Sequence, residues 1–116
     1  MTPKSANEAL ATSADVSMAP VRALFASRFE SEILAFESLR QEIGQSQSAA
    51  ALRELALRIH KIAGVAGTLG YTEIGASAMR LEKSITELAE REPSEVLARI
   101  DSRLDTFLDL LEAELD

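Results

Sequence analysis

Residues 48–70 read SAAALRELALRIHKIAGVAGTLG, and this stretch decides the fold. Leu52, Leu55, Ile59, Ile62, Ala66 and Leu69 recur at alternating spacings of three and four, the period of one buried helix face. Ser48 stands where a helix N-cap belongs, and Gly70 is a good stop. At about 100° per residue the buried stripe centres roughly opposite His60. The imidazole is therefore expected to face outward or along a groove edge, away from the core.

The same period continues on either side. A helix is expected from Pro20, carrying Val21, Leu24, Phe25, Phe29, Ile33, Phe36, Leu39 and Ile43 on one face and ended by Gly44 and the polar run Gln45-Ser46-Gln47-Ser48. A third starts at Thr72, read as an N-cap with Glu73 in the first turn, and buries Ile74, Ala78, Leu81, Ile85 and Leu88. Glu92-Pro93-Ser94 breaks the pattern. A fourth helix then runs to about Leu115, with Val96, Leu97, Ile100, Leu104, Phe107, Leu108 and Leu111 inward. No alternating run suggests a strand. Connections of a few residues make neighbouring helices antiparallel. The expected architecture is all-α: an up-down four-helix bundle over 18–116, preceded at 1–17 by a short, flexible or partly helical extension of small and polar residues.

Composition narrows the chemistry. The chain has 116 residues, one domain's worth of material, and no cysteine, which removes disulfides, thiolate catalysis and Cys-based metal sites. Histidine occurs once, so a metal site would rest on carboxylates, and none is expected. Asp101, Asp105 and Asp109 at spacings of four read as a solvated helix face. Nothing resembles a nucleophile elbow or a phosphate-cradling glycine loop. The net charge of −7 argues against nucleic acid and against an anionic membrane surface. With no signal-like or membrane-spanning run, a cytoplasmic location is expected.

What surrounds His60 is unusual. Arg53, Ala56, Leu57, Ala63, Gly64 and Gly67 lie on its side of the helix, and most are very small. Each helical glycine costs about 0.5–1 kcal/mol relative to alanine. Close helix packing fits poorly as the reason, because Gly64 and Gly67 lie off the buried stripe. A smooth surface beside an exposed imidazole suits the approach of another protein.

The segment His60-Lys61-Ile62-Ala63-Gly64-Val65-Ala66-Gly67-Thr68-Leu69-Gly70, with Leu81-Glu82 on the following helix, resembles the signature of histidine-phosphotransfer (HPt) domains. The resemblance implies a helical bundle in which His60 takes up a phosphoryl group from a receiver-domain aspartate and passes it to another receiver. It implies a phosphorelay intermediate rather than an enzyme, with no cofactor of its own, Mg²⁺ being held by the partner receiver. The expected partners are response-regulator receiver domains and a hybrid sensor kinase, met by a monomer. Glu82 is placed to accept the Nδ1–H and orient the ring. In the family a lysine usually follows the histidine by three residues, and here Ala63 stands there. Arg53, Lys61 and Arg80 are the candidates to supply the missing positive charge. That departure keeps open a competing reading, an HPt-like adaptor that binds a signalling partner without carrying phosphate. A purely structural dimerising bundle is weaker, since it would want a large exposed apolar face.

Overall fold

The computed structural model describes residues 18–115, and the expected extension at 1–17 lies outside them. A short helix, α1 (18–26), leads into four long ones: α2 (Phe29–Ser46), α3 (Ala49–Ala66), α4 (Thr72–Glu87) and α5 (Pro93–Glu112). Among the described residues there is no strand. The long helices pack in a ring, α2 on α3, α3 on α4, α4 on α5 and α5 back on α2. With such short links, sequential neighbours run antiparallel. No helix of the described residues is long and apolar enough to cross a membrane.

Local chemistry sets the corners. Gln47 takes the left-handed conformation at the end of α2, and its N–H donates to the Ile43 carbonyl. Ser48 Oγ accepts from the Ala51 N–H at 3.0 Å and opens α3 as an N-cap. Gln47 serves a second helix as well: its side-chain carbonyl accepts from the Ser94 N–H at 2.9 Å, filling the capping role at the start of α5 that Glu92 leaves vacant. After α3, Gly70 sits at φ +88°, a conformation that favours glycine. Tyr71 then donates its N–H to Ala66 O at 2.8 Å.

The core is aliphatic with a few aromatic anchors. Phe36, Ile43, Leu55, Ile59, Ala78, Leu81, Ile100, Leu104, Phe107 and Leu111 are all buried. Phe36 and Phe107 meet edge to face across the α2–α5 seam, with ring centroids 5.6 Å apart. At one end Phe25, Phe29 and Tyr71 form a second aromatic group, with Arg22 over the Tyr71 ring.

Four sequence expectations need correction. The first helix is not continuous: it breaks at residues 27–28. Ser27 Oγ donates to Leu24 O at 2.6 Å, and the Arg28 N–H reaches Phe25 O, three residues back instead of four. This is the local competition by which serine disturbs a helix ladder. Consequently Val21 and Leu24 are not in the core and stand 48% and 59% exposed. Gly44 does not end the helix, which continues to Ser46 because Gln47 makes the left-handed turn. Thr72 is the first residue of α4 and not its N-cap; Tyr71 occupies the cap, held by packing against Phe25 and Phe29. The last helix stops at Glu112, short of Leu115.

Candidate functional site

Ile59 and Ile62 are buried on α3, and His60 follows Ile59 by about 100°. That offset turns its side chain outward, 67% exposed. Glu82 projects from α4, whose Ala78 and Leu81 are buried, and its Oε2 meets His60 Nδ1. A carboxylate only accepts hydrogen bonds, so in the neutral imidazole this contact favours the proton on Nδ1, which leaves Nε2 with a free lone pair. The two helices thus present an exposed imidazole whose Nδ1 side is engaged by a carboxylate.

The small residues around His60 divide into two sets. Gly64 and Gly67 are exposed, and an added Cβ on either would meet nothing within 4 Å. Leu57 is 46% exposed. Ala56 and Ala63 are half-buried, and Ala63 packs against the core. The open face is therefore narrower than the sequence suggested.

The three candidate cations are placed differently. Lys61 lines the same groove as His60. Arg53 is exposed on α3 two turns before His60, about 20° from it around the axis and some 10 Å along it. Arg80 is not brought to the site. It lies about 160° around α4 from Glu82, on the flank of Ser77 and Ser84, and Ser84 Oγ accepts from Arg103 of α5. The aspartates of α5 gather no metal-binding cluster among the described residues. Asp101 and Asp105 pair instead with Arg40 of α2, at 3.4 and 2.7 Å.

One feature beside the histidine escaped the sequence reading. A groove of about 730 Å³ runs between α1, the start of α2 and α3, lined by Val21, Leu24, Phe25, Lys61, Gly64 and Val65, with His60 at its edge. On its polar side Arg58 is held by Glu32 at 3.0 Å and Glu54 at 3.1 Å. A signal existed: counted from Phe29, Leu24 falls about 140° around the helix, well off the stripe to which it was assigned.

The fold and the site together define a class, a four-helix bundle that presents one exposed histidine in contact with a carboxylate of the next helix. Residues 24–114 match the family model described as the Hpt domain. The match covers most of the chain, which belongs to the Hpt domain family, histidine phosphotransfer modules of two-component phosphorelays. Comparison with curated proteins and with solved structures gives no match.

Proposed function

We propose that His60 is the phosphate-accepting residue and that the chain relays a phosphoryl group between receiver domains. The observation that supports this is the exposed imidazole whose Nδ1–H is engaged by Glu82. In the forward step the Nε2 lone pair attacks the phosphorus of a receiver's aspartyl phosphate. An N–P bond forms, the P–O bond breaks, and the aspartate leaves as carboxylate. The ring gains positive character, which the Glu82 carboxylate offsets through the Nδ1–H. The reverse sequence delivers the phosphoryl group to a second aspartate. The receiver contributes the Mg²⁺ and most of the charge stabilisation, and this chain contributes the nucleophile, its orientation and an uncluttered approach past Gly64 and Gly67. It acts as a monomeric, cytoplasmic phosphocarrier in this reading. A hybrid sensor kinase carrying its own receiver is one such donor.

Ala63 favours a second reading, the adaptor that binds a receiver without carrying phosphate, because the resemblance would place a lysine there. Incubation with a phosphorylated receiver, followed by assay for acid-labile phosphate, separates the two. His60→Gln is expected to abolish uptake while keeping the helical fold, since the ring lies outside the core. Absence of acid-labile phosphate on the natural chain establishes the adaptor instead.

A further inference from the structure

The contact that orients His60 depends on how closely α3 and α4 approach, and one buried glycine of α4 lies directly against the end of α3. A Cβ built on Gly75 would lie 3.4 Å from Gly67 N, 3.6 Å from Ala66 Cβ and 3.8 Å from Gly67 Cα. Gly75 is itself buried. Those are ordinary van der Waals distances, so alanine fits there, but the neighbours are backbone and a short rigid side chain, and atoms beyond a Cβ meet no flexible end that can move aside. Gly64 and Gly67, by contrast, look onto open space. Of these three glycines, Gly75 is the one at which another segment is in contact, so that packing limits the size of the side chain.

Its place in the register links it to the site. Counting seven residues back from Gly67 reaches His60, and seven on from Gly75 reaches Glu82. Seven residues are about two turns and roughly 10 Å, so each partner lies almost directly along its helix from the contact. In an antiparallel pair the two counts run in the same direction. The Gly67–Gly75 approach and the His60–Glu82 hydrogen bond are therefore two rungs of one ladder. The spacing set at the first carries to the second through two helices too stiff to bend over that length. α3 and α4 also form the most extensive helix contact of the bundle.

We infer that Gly75 is a positioning residue for phosphotransfer: by letting α4 close onto the backbone of α3, it brings Glu82 within reach of His60 Nδ1. The inference rests on the His60 carrier reading for its kinetic part, but not for its structural part. A side chain longer than alanine at position 75 wedges the helices apart, loosens the hydrogen bond and frees the ring to adopt either tautomer.

The test is a graded series, Gly75→Ala, Gly75→Val and Gly75→Leu, in the full chain. Two readouts are needed: the ¹⁵N shifts of the His60 ring, which report the tautomer, and the rate of phosphoryl uptake from a phosphorylated receiver. Nδ1–H character is expected to stay near the natural value in Gly75→Ala and to fall with side-chain size beyond it. The uptake rate falls with it, by on the order of tenfold for the largest folded member, the lower end of the loss found when a metal-ligating histidine is deprived of its orienting partner. The series is then repeated with Glu82→Ala, where the rate is expected to be low and flat, because Gly75 acts through Glu82. Equal losses with and without Glu82 show a merely structural glycine and overturn the inference, as does an unchanged tautomer across the series. Should Gly75→Leu lose its helical fold, Gly75→Val read against Gly75→Ala carries the same comparison. If the natural chain takes up no phosphate, the carrier reading fails, and the tautomer series still decides the role of Gly75.

Discussion

The bundle has two seams of opposite character. α2 and α5 meet through bulk, with Phe36 against Phe107 and a guanidinium network outside them. Arg40 reaches Glu37, Asp101 and Asp105. Burial alone would favour its neutral form, but the Asp105 hydrogen bond and the three carboxylates outweigh that and hold its pKa above the ordinary guanidinium value. α3 and α4 meet through smallness, with Ala66 and Gly67 against Gly75, and their polar contact is the His60–Glu82 bond at the surface. A seam of large side chains gains burial energy and tolerates little change. A seam of small ones forgoes much of that energy and gains a short, defined distance between two backbones. The first seam is suited to holding the fold, and the second to holding a geometry.

The contrast can be tested by damaging each seam. The largest effect is expected from Phe107→Ala, which removes a fully buried ring and should lower stability by about 3–5 kcal/mol in denaturant unfolding. A loss under 1 kcal/mol would mean that the α2–α5 seam is not the anchor proposed here. On the other side, Ala63→Lys introduces an ammonium one turn from His60. Its stem runs out of the half-buried position toward the ring, and phosphoryl uptake should rise about fivefold, the effect of roughly 1 kcal/mol of added attraction in a partly screened site. Slower uptake would show that the α3–α4 seam has no room even at its rim. The smallest change is expected from Arg40→Met. Its partners Asp101 and Asp105 are about half exposed, so stability should fall by about 0.5–1 kcal/mol, and less at high salt. A salt-independent loss would point to packing of the arginine stem instead of its charge.

The sequence made the four long helices legible because each carries an unbroken stripe with a period near 3.6 and a polar or glycine-containing link. His60 was legible as outward-facing for the same reason, since its position follows from Ile59 and Ile62 alone. Helix ends were less readable. Whether Ser27 bonds to its own helix or to solvent, and whether Tyr71 or Thr72 caps α4, depends on tertiary neighbours such as Phe25 and Phe29. Arg80 could have been set aside by counting angles along α4 from Glu82. Gly75 could not have been picked out that way. Its importance depends on which residue of α3 lies opposite, and that follows only once the turn at Gly70 and Tyr71 fixes the hairpin register.

The ring-like order of packing bears on how the chain acquires its fold. Three of the four seams join helices adjacent in sequence through links of two to five residues, so they close locally and on fast timescales. The α2–α5 seam is the exception: Arg40 and Asp105 are 65 residues apart. Its closure bears most of the loop entropy and is expected to come late. The α3–α4 hairpin, with its turn, its glycine contact and its histidine, can assemble before the first and last long helices find each other. The phosphotransfer geometry would then arise in the part of the chain that matures earliest, while the helices at its two ends lock the barrel shut. Hydrogen exchange during refolding should accordingly protect the amides of α3 and α4 ahead of those of α5.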